Sequence, residues 1–209
     1  MKTIVLATGN AHKLQEIGEM LKGYKILSLK DINFVGDIAE TGSTMEENAK
    51  IKALAIVEFL KQKNLDDYAV LADDSGLCVN SLKGAPGVNS ARYAGNHDDE
   101  ANRQKLLKAL GESIDRTAYF ECALCFVDEG KVRAFVGRTY GEITTEKIGD
   151  ESFGYDCLFL SHDLKKTFGE ATEQEKNSVS HRGRAIQKLK EYLREKNPNF
   201  DRTLVFNKK

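Results

Sequence analysis

A chain of 209 residues is long enough for one domain to bury about 70% of the surface that its unfolded form exposes, so a full hydrophobic core forms without disulfide or metal staples. Lys plus Arg number 31 against 32 for Asp plus Glu. The resulting net charge of -1 excludes the one-signed field that draws a protein onto duplex nucleic acid or an anionic membrane, yet leaves a small phosphorylated ligand open. No apolar run reaches membrane-spanning length, and Met1-Lys2-Thr3 leads straight into a strand instead of an export signal, so a cytoplasmic protein with neither nucleic-acid nor membrane partner is expected.

Thr3 to Ala7 is β-branched and apolar and reads as a strand. Thr8-Gly9-Asn10 then turns it into a helix over 11–22 with Leu14, Ile17 and Leu21 on one face. Strand, tight turn and helix make an anion-binding arrangement. The first-turn amides have no partner inside the helix, the macrodipole is positive there, and Lys13 can reach the same ligand. The same turn residues also serve turn geometry alone, and no glycine-rich loop ending in Gly-Lys-Ser/Thr makes this a P-loop. A second strand is predicted over 25–29, and an irregular stretch leads from it to Glu40-Thr41-Gly42-Ser43-Thr44. Thr44 and Glu47 form a capping box for a helix over 45–61. Its second half (Leu54, Ala55, Ile56, Val57, Phe59, Leu60) is nearly all apolar, as expected of a buried helix. Asn48 and Lys52 share a face near the polar start, which either emerges into solvent or lines a site.

Val70-Leu71-Ala72 predicts a short buried strand that ends at Asp73-Asp74, with Ser75-Gly76 as a turn. Alternation along a strand sends the two carboxylates to opposite sides, one free to face a cleft and the other to brace a neighbour. A carboxylate placed there can ligate a hard cation such as Mg²⁺ and still accept a proton from water. Asp-Asp-Ser-Gly also reads as a plain hydrophilic turn. Gly84, Pro86 and Gly87 break a loop, after which Ser90, Ala91, Arg92, Tyr93 and Gly95 set small residues beside one cation and one ring, where backbone can approach a ligand.

Asp98 caps a predicted helix that runs to Leu110 and ends at Gly111, which reads as scaffold. Segments 117–127 and 131–139 form a hairpin about Asp128-Glu129-Gly130, with Phe120 in the sheet core. Cys122-x-x-Cys125 falls inside the first of these strands. The odd spacing sends the thiols to opposite faces, and no second pair completes a zinc site, so Cys78, Cys122, Cys125 and Cys157 read as free, buried thiols. Phe153-Gly154-Tyr155-Asp156 has two aromatics about a glycine next to a carboxylate. It suits either a planar heterocycle, held by stacking and an edge hydrogen bond, or a strand entering the core. Thr172 and Glu175 cap a short turn. Lys176 precedes Ser180-His181-Arg182-Gly183, where Ser180 caps a helix to Lys196 with Pro198 as its stop. The tail 197–209 is polar and carries no assigned function.

The run ADDSGL followed by GAPGVNSARYAG closely resembles the signature of the inosine triphosphate pyrophosphatase family, the hydrolases of non-canonical purine nucleoside triphosphates. The match extends in order through TGN with Lys13, ETG with ENAKIKA, FGYD, and EK with SHRG, and so covers nearly the whole chain from Thr8 to Arg182. The resemblance implies an α/β fold with a long, mixed, twisted sheet flanked by helices. It also implies one two-lobed domain over 1–196 with a central cleft, and a homodimer. The implied reaction is Mg²⁺-dependent hydrolysis of ITP, dITP and XTP to the monophosphate and pyrophosphate. Asp74 would be metal ligand and proton acceptor, with Glu40 a second carboxylate at the metal. Lys13, Lys52 and the Thr8, Gly9 and Asn10 turn would hold phosphates, and Ser75 would meet the substrate. Phe153, Gly154, Tyr155 and Asp156 would lie at the base, and Lys176, His181 and Arg182 would also bind substrate. Two departures from the family pattern are Glu151-Ser152, where Gly-Gly is usual, and Cys157, where Pro is usual. A 6-oxopurine offers an O6 acceptor and an N1–H donor where adenine offers the reverse, so paired polar groups would reject ATP, while discrimination against GTP must act at C2. Two other functions fit fewer motifs: a pyrophosphatase for other modified or pyrimidine triphosphates, and a nucleotide sensor without turnover.

Overall fold

The computed structural model describes residues 3–65, 67–95, 97–150 and 153–196, so the tail and the Glu151-Ser152 departure lie outside the described residues. In chain order the elements are β1 (Thr3–Leu6), α1 (Ala11–Met20), β2 (Ile26–Leu27), α2 (Met45–Gln62), β3 (Tyr68–Val79) and α3 (Asp99–Leu110). They continue with β4 (Thr117–Asp128), β5 (Lys131–Ile143), β6 (Phe159–Ser161), α4 (Glu173–Val179) and α5 (His181–Lys196). The fold is α/β. Its mixed sheet has the order β2-β1-β3-β4-β5-β6, with β1 parallel to both neighbours and every later pairing antiparallel.

The period-two alternation of β3 decides what covers each face. Val70 and Ala72 join Val5, Ala123 and Cys125 under α2, which buries Ala49, Ala53, Ile56 and Leu60 there. Leu71 joins Ile4, Leu6, Cys122 and Leu124 under α1 and α5, which supply Ile17, Ala185, Ile186 and Leu189, with Leu21 capping the end of α1. Each fully buried Ile or Leu of these helices contributes about 1.5–3 kcal/mol. A third apolar cluster gathers Leu77 and Val79 of β3 with Leu106 and Leu110 of α3, Phe120 and Phe159. Asp73 to Gly76 therefore sit where β3 passes from its helix-covered half into the third cluster.

The sequence places a strand end and a turn at Asp73-Asp74-Ser75-Gly76, but the strand runs through them. These four residues pair with Leu124, Ala123, Cys122 and Glu121 of β4. Gly76 serves close packing, not a turn, because a Cβ there would lie 2.3 Å from the Gly87 carbonyl oxygen. Three smaller expectations also change. β2 shrinks to the two residues that pair with Ile4 and Val5, and α1 stops at Met20. The second half of α2 is not buried all round, since Leu54 is 40% exposed on the side turned away from the sheet. The caps form as read: Thr44 with Glu47, Asp98, and Thr172 with Glu175 each hold a first-turn amide.

All four cysteines are free and buried, and Cys122 and Cys125 lie under opposite faces of the sheet. Burial pushes the Cys122 thiol up to about 12 and Cys125 up to about 11, and raises Cys78 as well. Thiolate, the reactive form, is thus scarce until the solution is strongly alkaline. A disulfide reagent at about pH 8 is expected to label less than one equivalent in the folded protein and all four thiols after denaturation. Prompt labelling of the folded chain would refute this packing.

Candidate active site

One end of the site is built by β1, α1, α2 and β3. Asn10 caps α1, its side-chain oxygen accepting from the His12 and Lys13 amides at 3.0 and 3.2 Å. Two of the first-turn donors are therefore already used, and what stays open to a ligand is the notch at Gly9, where a Cβ would meet nothing within 4 Å. Lys13 reaches across to Asp73, Nζ to Oδ2 3.0 Å. From α2, Lys52 Nζ lies 2.7 Å from Glu40 Oε1 and 3.1 Å from Asp74 Oδ1. Asn48, one turn earlier on the same face, donates to Asp74 Oδ2 at 3.3 Å and accepts from the Gly42 amide at 2.7 Å. The two adjacent carboxylates do point to opposite sides. Asp73 meets Lys13 and Arg182, whereas Asp74 meets Lys52 and Asn48.

Charge balance follows from this placement. Burial raises the Asp74 carboxyl above its ordinary range, and the Lys52 ammonium opposes it. For Glu40, burial acts upward too, but the hydrogen bond and charge of Lys52, helped by Arg92, hold it below its usual value. Burial would lower Lys52, yet Asp74, Asp73 and Glu40 keep it raised. The pair Glu40 and Asp74 thus converges on one cationic point. Among the described residues no group of three or more His, Cys, Asp and Glu is placed to hold a metal.

The other end is built by the 153–156 loop, α4 and the start of α5. Asp156 Oδ2 is 2.5 Å from Lys176 Nζ; burial raises Asp156 and Lys176 opposes it. Glu16 of α1 bridges two cations, meeting Lys176 at 3.3 Å and the Arg182 guanidinium. Arg182, 2% exposed, also donates to Ser75 Oγ at 3.0 Å, and Ser75 in turn donates to Asp73 Oδ2 at 3.3 Å. Phe153 stands between His12, ring centroids 5.3 Å apart, and Lys176, 5.0 Å from the ring centre. His181 stacks on Phe120 at 4.9 Å and 15°, and burial together with the charges of Arg182 and Lys176 keeps its imidazole neutral.

A single cavity of about 600 Å³ joins the two ends. It is lined by Thr8, Gly9, Asn10, Lys13, Glu40, Lys52, Asp74 and Ser75, and by Phe153, Gly154, Tyr155, Asp156, His181 and Arg182. Lys176 stands behind that wall, reaching it through Asp156 and Phe153. Sequence reading missed several neighbours. Phe120 belongs to the core, as its place in the strand implies, and also lines the cavity, and Arg92 lies 3.4 Å from Glu40. Glu16 lies one turn after both His12 and Lys13 on α1, a spacing that links it to each of them. Asp99 and Arg103 share one face of α3, but nothing within that helix names their partner in the cavity wall.

Comparison with known proteins places these observations among relatives. Residues 4–192 match the Ham1 family. The chain is 48% identical over 200 residues to the dITP/XTP pyrophosphatase of Clostridium perfringens, covering 93% of this chain and 98% of that one. It is 43% identical over 199 residues to the dITP/XTP pyrophosphatase of Bacillus subtilis, covering 92% and 98%. Among solved structures, the Staphylococcus aureus Ham1 protein superposes with a TM-score of 0.83 at 38% identity, over 94% of this chain and all of that one. The dITP/XTP pyrophosphatase of Mycobacterium abscessus superposes with a TM-score of 0.71 at 40% identity, over 90% and 98%. Among the described residues no helix is long and apolar enough to cross a membrane.

Proposed function

The chain belongs to the Ham1 family, and from that membership we infer its reaction: hydrolysis of dITP, XTP and ITP to the monophosphate and pyrophosphate. The observation that carries the assignment to this cavity is the convergence of Glu40, Lys52 and Asp74 on one point opposite the Gly9 notch and Lys13. In our reading Lys13, Lys52 and the Thr8-Gly9-Asn10 turn hold the triphosphate oxygens, and Asp74 accepts the proton of the attacking water. Freed by substrate from some of their present pairings, the two lysines offset the charge that collects on the departing pyrophosphate.

Mg²⁺ is part of this proposal. The residues fit it: Glu40 Oε1 and Asp74 Oδ1 already share a cation, the Lys52 ammonium. One or two carboxylates are also the usual protein share of a Mg²⁺ site that substrate phosphates complete. When bound there the ion would neutralise phosphate charge and favour ionisation of the attacking water.

At the other end Phe153 lines the cavity and supplies the ring against which the purine stacks. Asp156, His181 and Arg182 present donors and acceptors to the 6-oxo edge, where adenine has the opposite pattern, and Lys176 acts from behind Asp156. The buried thiols suit the reducing cytoplasm, where we place the protein. A homodimer belongs to the same proposal. On the sheet face turned from α5, Ala134, Arg138 and Tyr140 of β5 are exposed and offer a surface for it. Light scattering that returns a monomer mass would remove the dimer alone.

The test of function is pyrophosphate release from ITP, dITP, XTP, GTP and ATP, each at one sub-saturating concentration, with Mg²⁺ and with excess chelator. Rapid release from ITP, dITP and XTP, slow release from ATP and GTP, and arrest by chelator are expected. Equal rates on ATP would overturn the base reading. Absence of release would overturn the reaction.

A further inference from the structure

Helix α3 read from sequence as scaffold, but its side chains hold the backbone of the cavity wall. The Gly154 amide donates to Asp99 Oδ2 at 2.8 Å, and the Gly154 carbonyl accepts from Arg103 Nη1 at 2.7 Å. Asp99 and Arg103 are one turn apart on α3, so one helix face grips both polar groups of a single residue. That residue lies between Phe153 and Tyr155 and adopts a left-handed φ of 51°, which glycine takes without steric cost but does not fix by itself, so the two hydrogen bonds select it.

The grip is itself braced. Arg103 is 5% exposed, and Glu100 Oε2 accepts from both its Nε and Nη2 at 3.1 Å, which fixes the plane of the guanidinium. Lys147 Nζ approaches the same Glu100 oxygen at 3.2 Å. One position before Arg103, Asn102 bonds the Ala94 amide and the Ala91 carbonyl at 2.6 and 3.1 Å, so α3 also holds the segment that carries Arg92. Tyr155 closes the circuit by donating to the Ser90 carbonyl at 2.8 Å.

We propose that Asp99 and Arg103 are positioning residues for nucleobase binding, acting through Gly154 to hold the Phe153 ring at the stacking position. This rests on the reading of the 153–156 loop as the base end of the cavity. Neither side chain takes part in phosphate chemistry. Loss of the grip therefore weakens substrate binding at the base end and leaves the phosphate end as it was.

The experiment compares wild type, Arg103→Met and Arg103→Lys for ITP turnover, with product inhibition by IMP and by pyrophosphate measured separately. Removing a hydrogen bond from a charged donor is expected to raise KM for ITP in Arg103→Met about tenfold while kcat stays within about threefold. The inhibition constant of IMP should rise by a similar factor, that of pyrophosphate should not move, and Arg103→Lys should recover part of the loss. Unchanged KM, a loss confined to kcat, or equal weakening by both products would overturn the proposal. Should Arg103→Met melt below the assay temperature, Arg103→Lys alone decides by the same ratio of IMP to pyrophosphate inhibition. Wild-type protein that releases no pyrophosphate from ITP would overturn the reaction itself. Active wild type with an indistinguishable Arg103→Met would overturn only the grip.

Discussion

Replacing Asp74 by Asn is expected to lower kcat for ITP by about 10²- to 10⁴-fold, the range in which a general base acts. The substitution keeps the shape of the side chain and an acceptor oxygen for Lys52 or Asn48, both of which now touch Asp74. Packing is therefore conserved, while the charge and one of the two accepted hydrogen bonds are lost. The amide cannot take a proton from water, and one of the two carboxylates proposed for the metal disappears with it. Pyrophosphate release should fall far more than thermal stability does. Turnover near that of wild type, with Mg²⁺ saturating, would end the assignment of Asp74 as base.

The neighbouring carboxylate should behave in the opposite way. Asp73 is fully buried, with Lys13 3.0 Å and Arg182 3.6 Å away, and it accepts from Ser75. Burial alone would raise its pKa, but the charges of Lys13, Arg182 and Lys52 win and hold it far below the usual carboxylate range. Asp73→Ala leaves Lys13 and Arg182 without the carboxylate they share, with Glu16 as the remaining charged partner of Arg182. Breaking a buried pair from one side costs about 3–5 kcal/mol. For a domain of this size that is a fall in Tm of roughly 6 to 20 °C. The sign with pH follows from the lowered pKa. The contribution is fully present above the ordinary carboxylate range and is lost only as pH falls below it, so the gap between variant and wild type should be constant from about pH 6 to 8. Calorimetry with chelator present separates this effect from metal binding, and a shift under about 2 °C would show that the pair adds nothing to stability.

These two aspartates mark the boundary of what local pattern reveals. Alternation along a strand is a local rule, and it correctly sent Asp73 and Asp74 to opposite sides. The apparent turn at Ser75-Gly76 was misleading, because a polar run with glycine looks like a turn unless its partners are known. Here Ser75 has Arg182, 107 residues away, and Gly76 has the Gly87 carbonyl against its α-carbon. Asn48 and Lys52 were legible as one helix face, while their common target Asp74 lies 22 residues beyond Lys52.

By itself the sequence determined the α/β pattern, the helix caps, the buried thiols and the motifs that place the chain in its family. Those signals arise from hydrogen bonds and periodicities within a few residues, which any stretch of chain carries with it. Only the tertiary structure decided that Asp-Asp-Ser-Gly is strand, that Phe120 lines the cavity, and that α3 grips Gly154 through Asp99 and Arg103. Those contacts join residues about fifty positions apart or more, and a buried polar group takes whichever partner the packed sheet and helices bring within reach.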